Sequence, residues 1–223
     1  MAIRNQLDIS IQLSKPFTEY ANVVYAPHTY TYSFTVDQVV LGGYEQSLTS
    51  AWYEATKMHA PVLVTEFGGP TSGAGLERLG NITMQQDEHL TGSTFWVWKE
   101  KGGGGWSMWV GNEGEEGMHL QESRVKFLSR ARPTNVAGQL TKLEYDPDAM
   151  TMLMKGTAPV EDEGGDATLT LVYIPVRVKG EGSVSGAAEL EKTEEMPDGS
   201  RLLHVRVKSS GAEYSVAVGR ELE

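Results

Sequence analysis

Residues 61–69 read Pro61-Val62-Leu63-Val64-Thr65-Glu66-Phe67-Gly68-Gly69. The apolar and β-branched run behind Pro61 predicts a strand buried on both faces, the habit of strands in parallel sheets. Glu66 closes the run and glycines follow. A carboxylate at the C-terminal end of a parallel strand stands where α/β and (β/α)8 enzymes put reactive groups. Glycines beside it let substrate or neighbouring backbone approach closely. A strand-end glutamate also serves in salt bridges and helix caps, so this segment alone leaves both readings open.

Working outward, Asn22 to Tyr32 is β-branched and aromatic, which predicts a strand at Val23–Tyr25 running into a loop at 26–30. Tyr44 to His59 carries Leu48, Trp52 and Ala55 at helical spacing. Downstream, Leu76 to Leu90 predicts a second helix, Ser93 to Trp98 a third buried strand, Gly102 to Gly105 a flexible loop and Leu120 to Ala131 a third helix. Strands alternating with helices imply parallel βα units.

After Pro133 the texture changes. Short alternating runs at 137–145, 150–156, 167–174, 201–208 and 213–219 are separated by turn signals such as Pro197-Asp198-Gly199-Ser200. That pattern predicts a small all-β domain, a sandwich, with the boundary near 131–136.

The 223 residues suffice for one large or two small domains, and the composition is that of an ordinary globular chain. A net charge of −11 argues against nucleic-acid binding, because an acidic surface repels phosphate backbones. The acidic clusters at 113–116, 161–166 and 189–195 are expected to be solvated loops. No cysteine is present, so disulfides, thiolate nucleophiles and Cys-based metal sites are excluded. The chain opens without the pattern of a signal peptide, and its apolar runs are too short to span a bilayer.

Several residues could carry chemistry. His28 and Tyr30 follow the first strand, and alternation points them the same way. Trp96 and Trp98 end the third strand, with Trp106 and Trp109 beyond it. Aromatic faces stack on sugar rings, although one of the first pair is expected to face the core unless the strand ends there. The histidines are scattered and no H-E-x-x-H occurs, so neither metal nor cofactor is expected. Residues 105–109 lack the final glycine of a nucleophile elbow, and 102–105 lack the Lys-Ser/Thr of a phosphate loop. Asn81-Ile82-Thr83 is a glycosylation sequon, a common match.

Taken in order, Tyr25–Tyr30 (YAPHTY), Pro61–Gly69 (PVLVTEFGG) and Gly92–Glu100 (GSTFWVWKE) resemble the last three strands of glycoside hydrolase family 5, the cellulase family. Within it the likeness is greatest to endoglycoceramidase-like members, which cleave the link between oligosaccharide and ceramide. Gln85 to Glu88 resembles a helix those members carry, and Arg132 to Gly138 resembles their segment leading from barrel to β-sandwich. The resemblance covers roughly residues 20–175.

It implies an α/β plus all-β chain: 1–131 as the last three or so βα units of a (β/α)8 (TIM) barrel, and 132–223 as a C-terminal β-sandwich. Glu66 takes the place of the nucleophile. His28 and Tyr30 occupy the family's His-x-Tyr place after strand six, and Trp96 that of the cleft tryptophan after strand eight. Trp98 and Lys99 become further substrate contacts. A carbohydrate or glycosphingolipid is the implied substrate, with membrane contact only through that substrate, and the complete parent enzyme is expected to be secreted or extracellular.

Departures follow from the same comparison. A complete barrel takes about 250 residues, and the first five strands have no counterpart here. The family's acid/base glutamate, in an Asn-Glu pair after strand four, is also absent; Asn112-Glu113 lies after the last strand instead. Retaining hydrolysis uses two carboxyl groups about 5–5.5 Å apart. The expectation is therefore a glycosidase portion that gives little turnover by itself, its N-terminal half lost or supplied by a separate chain, with a non-catalytic glycan- or glycolipid-binding remnant, or a truncated product without a function of its own, as the alternatives.

Overall fold

A helix over Tyr44–Met58 (α1) buries Tyr44, Ser47, Leu48, Ala51, Ala55 and Met58, one stripe at helical spacing. Glu45 in its first turn and Lys57 in its last complement the helix dipole. His59 ends it in the left-handed region, with φ of 53°, while the Ala60 N–H donates to Ala55 O. A second helix, Ala74–Glu88 (α2), ends the same way: Leu90 has φ of 51°, and the Thr91 N–H donates to Gln86 O. Each helix stop therefore turns the chain directly into the strand that follows.

The computed structural model describes residues 22–30, 35–36, 39–40, 44–68, 74–99, 106–111, 119–160, 168–208 and 211–222. The expected loop at 102–105, the acidic clusters at 113–116 and 161–166, and Asn112-Glu113 lie outside the described residues. By contacts the chain divides into two compact units, Met1–Val125 and Lys126–Glu223.

In the first unit, two-residue strands β1 (Thr35–Val36) and β2 (Val39–Val40) pair antiparallel. Strand β3 (Leu63–Phe67) pairs in parallel with β4 (Gly92–Phe95), with an irregularity between Val64 and Phe67. On the other flank of β3, segment 22–30 runs parallel through bridges Tyr25–Val62 and His28–Glu66. The predicted strand at 23–25 is thus reduced to isolated bridges; Pro27, in the middle of the segment, has no N–H to continue a ladder. The βα order is as the periodicity implies.

Burial is one-sided. Val62 and Val64 are buried, whereas Leu63 is 37% exposed and the residues of β4 alternate between exposed and half-buried. The expectation of strands buried on both faces fails here, and among the described residues no closed barrel forms. A buried polar chain ties the layers together. Thr29 Oγ1 and Gln86 Nε2 both donate to the Tyr44 hydroxyl, at 3.1 and 2.7 Å, and Ser93 Oγ donates to Gln86 Oε1 at 2.8 Å. Strands β5 (Trp109–Val110) and β6 (His119–Leu120) form a short antiparallel pair before helix α3, Glu122–Leu128, which is shorter than the 120–131 expected.

The second unit contains β7 (Arg132–Asn135), β8 (Gln139–Asp146), β9 (Thr151–Thr157), β10 (Leu169–Ile174), β11 (Gly182–Gly186), β12 (Ala188–Glu195), β13 (Arg201–Val207) and β14 (Glu213–Val218). They make two four-stranded antiparallel sheets, ordered β12-β13-β10-β7 and β11-β14-β9-β8. One core joins inward residues of both, including Met152, Met154, Val216 and Val218 from one sheet and Val172, Ile174, Leu203 and Val205 from the other. Pro133 sits in an edge strand, the position in a sheet that tolerates its missing donor.

One acidic cluster corrects the expectation made for it. Residues 189–195 are solvated, but as edge strand β12 rather than as a loop. Its glutamates meet bases on β13: Glu191 pairs with Arg206 at 3.1 Å and Glu194 with His204 at 2.9 Å.

Candidate functional site

Glu66 lies at the C-terminal end of β3, where three parallel segments converge. Its backbone bridges His28, and its carbonyl accepts the Thr29 N–H at 2.9 Å. On the other flank, Phe67 O accepts the Trp96 N–H at 2.7 Å. The carboxylate is 24% exposed and is held from one side: the Tyr30 hydroxyl donates to Oε1, and His28 Nδ1 lies 3.5 Å from Oε2. His28 itself is 59% exposed. Burial, then the hydrogen bond to Glu66, raises the Tyr30 phenol above its ordinary pKa of 10, so it remains a proton donor at neutral pH.

Tyr30 has a second contact. The ring of Trp106 meets it edge-on, with centroids 5.6 Å apart and planes at 81°. Gly68 makes room for this corner: a Cβ there would collide with Trp96 O and lie 3.5 Å from Trp106 Cε3.

Beyond β4 the chain opens into an aromatic shelf. Trp96 is 49% exposed and Trp98 57%, so neither faces the core; regular strand structure ends at Phe95, and alternation ends with it. The Trp96–Val97 peptide is cis. Trp98 meets Trp109 edge-to-face, centroids 5.8 Å apart, and Lys99 Nζ lies 5.8 Å from the centre of the Trp109 ring. Residues 106–108 run beside 97–98: the Val97 N–H donates to Trp106 O at 3.3 Å, and the Met108 N–H to Val97 O at 3.1 Å.

The structure thus brings His28, Tyr30 and Glu66 into contact and sets the backbone of Trp96 beside that of Phe67. Trp98 and Lys99 gather instead around Trp109. Trp106 and Trp109 stand out in the sequence without a role; their ring partners supply one. Gln121 and Arg124, which hold the 106–108 segment, were missed. Arg124 falls three residues before buried Phe127, and a charge on the apolar stripe of a helix was the available signal. Among the described residues no group of three or more His, Cys, Asp or Glu could hold a metal ion, and no helix is long and apolar enough to cross a membrane.

No protein-family model matches the sequence, and no curated protein does. Solved structures do. Endoglycoceramidase II from Rhodococcus sp., captured as a lactosyl-enzyme intermediate, superposes with a TM-score of 0.60 at 18% identity, over 80% of this chain and 37% of that one. An endogalactoceramidase gives 0.65 at 20% identity, over 87% and 41%. Sterylglucosidase 1 from Cryptococcus neoformans gives 0.57 at 13% identity, over 79% and 31%.

These neighbours are glycosidases. The chain shares its fold with a part of them and spans roughly a third to two-fifths of their length.

Proposed function

We infer that the chain is the C-terminal part of a retaining glycoside hydrolase of the family 5, endoglycoceramidase-like type. On this reading residues 1–131 are the last βα units of a (β/α)8 barrel and 132–223 a β-sandwich. Glu66 is the nucleophile and a glycolipid or β-glucoside the substrate. One observation carries the reading: a half-buried carboxylate at the C-terminal end of a parallel strand, hydrogen-bonded by a phenol from the neighbouring segment. The solved neighbours support it at the level of fold.

The chemistry then divides by residue. The Glu66 carboxylate attacks the anomeric carbon as the bond to the leaving oxygen breaks, giving a glycosyl-enzyme ester that water later cleaves. Tyr30 fixes one carboxylate oxygen by donating to it, and His28 stands beside the other. Trp96 offers an exposed ring for the sugar, with Trp98 and Lys99 as outer contacts. The leaving oxygen takes its proton from a second carboxylic acid supplied by the N-terminal portion of the parent enzyme, in the same polypeptide or another.

The test uses a substrate that does not need that acid. From a 2,4-dinitrophenyl 2-deoxy-2-fluoro-β-glucoside the dinitrophenolate departs unprotonated, and the fluoroglucosyl group stays on the carboxylate as a slowly hydrolysed ester. Incubation with the chain is expected to add one fluoroglucosyl mass, mapped to Glu66 and absent in Glu66→Gln. A folded chain that takes no label sinks the nucleophile assignment. Binding of an oligosaccharide without labelling would favour the second reading, a non-catalytic glycan- or glycolipid-binding portion, to which the exposed Trp98 with Trp109 at its edge gives specific support.

A further inference from the structure

The segment carrying Trp106 is held from two directions. On one side residues 97–98 bond to its backbone. On the other, two side chains at the head of α3 reach into it. Arg124 is buried, and its Nη1 donates to Ser107 O at 2.9 Å and to Trp106 O at 3.3 Å. Gln121 Nε2 donates to the same Ser107 O at 2.9 Å, and the Gln121 N–H to Met108 O at 2.8 Å. Gln121 also accepts the N–H groups of Arg124 and Val125 at 2.9 and 3.1 Å, which fixes the start of the helix to the loop it holds. Burial pulls the Arg124 pKa down to about 10, and the guanidinium stays charged at neutral pH.

A buried arginine donating to main-chain carbonyls is an expensive way to hold a loop, because its charge must be desolvated. What the loop carries accounts for the choice. Trp106 lies edge-on to Tyr30, and Tyr30 is the donor on Glu66. We propose that Arg124 and Gln121 are positioning residues for Glu66, acting through Trp106 and Tyr30. Displacing residues 106–108 frees the Tyr30 ring, and the carboxylate loses its fixed orientation. The inference rests on the nucleophile reading for its catalytic consequence and on geometry alone for its structural one.

Two measurements on the full chain separate those parts. With tyrosines 13C-labelled and Tyr30 assigned through Tyr30→Phe, the edge-on indole gives Tyr30 a ring-current shift. That shift is expected to vanish in Trp106→Leu and in Arg124→Met, to weaken in Gln121→Ala, and to return in part with Arg124→Lys, which keeps a charged donor. Labelling kinetics with the fluoroglucoside are expected to split: Arg124→Met slows the maximal labelling rate roughly ten- to a hundredfold, with the half-saturating concentration little changed. Glu122→Ala, on the exposed side of the same turn, changes neither. Should Arg124→Met fail to fold, Gln121→Ala and Arg124→Lys carry both measurements. An unchanged Tyr30 shift in folded Arg124→Met, or in Gln121→Ala where Arg124→Met does not fold, overturns the proposal. So does a shift that moves while labelling keeps its wild-type rate. A wild-type chain that takes no label overturns the nucleophile reading instead, and the Tyr30 shift then decides the clamp by itself.

Discussion

The phenolic oxygen of Tyr30 and Oε1 of Glu66 are joined by a hydrogen bond between parallel segments whose backbones already meet at His28 and Glu66. The contact therefore depends on strand register. A slip of one residue would turn Tyr30 to the opposite face.

Tyr30→Phe keeps the ring and removes the donor. A hydrogen bond to a charged group contributes about 2 kcal/mol, so labelling of Glu66 by the fluoroglucoside is expected to slow roughly thirtyfold. A rate within twofold of wild type would show that the hydroxyl does not act on the nucleophile.

Gly68→Ala brings a methyl group onto the Trp96 carbonyl, a backbone atom that cannot swing aside. Overpacking of this kind costs about 1–3 kcal/mol. Lower stability in urea and a changed tryptophan emission are expected together, since the 96–98 segment must move.

Trp98→Ala and Trp109→Ala dismantle the edge-to-face pair. Trp98 is largely exposed, so its loss is expected to leave the unfolding midpoint nearly unchanged and to weaken oligosaccharide binding, read by titration calorimetry, about three- to tenfold. Unchanged binding in both variants would remove the shelf from the sugar path.

Alkaline pH acts through the tyrosines. Burial, then a partner carboxylate, raises Tyr25 beside Glu54 and Tyr30 beside Glu66, and burial raises Tyr44, all from an ordinary value of 10. The folded state holds these protons after the unfolded chain has released them. Their contribution is complete below pH 10 and is lost as pH rises through the folded values. All five tryptophans lie between residues 52 and 109, so tryptophan emission follows the first unit alone. Its urea midpoint is expected to fall above pH 10, less steeply in the Tyr25→Phe, Tyr30→Phe double variant.

In the second unit a closed loop of hydrogen bonds is open to a single-atom test. The Tyr214 hydroxyl donates to Ala137 O at 2.9 Å and lies 3.0 Å from Thr170 Oγ1, which accepts the Ala137 N–H at 2.9 Å. Tyr214→Phe leaves Ala137 O without that donor and is expected to cost about 1–3 kcal/mol, measured by denaturation followed by circular dichroism. Gly156→Ala presses a methyl onto the Tyr214 ring, with Cε1 2.7 Å away, and should destabilise comparably.

Much of this was legible in the chain. The period of α1, the run into Glu66 and the turns between alternating strands are local signals, and the corresponding elements formed. Contacts made across the chain were not legible. Nothing near Arg124 announces that it donates to Trp106 O, eighteen residues back. Nor does the charge-rich Ala188–Glu195 look like a strand until Arg206 and His204 lie beside it. The open face at Leu63 escaped for a related reason: apolarity marks what a residue could bury, and coverage depends on what lies opposite.

Edge strand β12 has a practical consequence. It carries Glu189, Glu191, Glu194 and Glu195 in exposed positions along the rim of its sheet, on a molecule of net charge −11. Lys192, Arg206 and Lys208 stand beside three of these glutamates, so the rim is charged throughout and only partly negative; with the net charge of the whole chain it works as an electrostatic bumper against fibre-like stacking. That bumper has a range of about 10 Å at 0.1 M salt and about 3 Å at 1 M. Dilute buffer keeps such a protein dispersed, and concentrated brine lets its rims touch, so ionic strength is the handle for storing it as single particles or for coaxing it into a lattice.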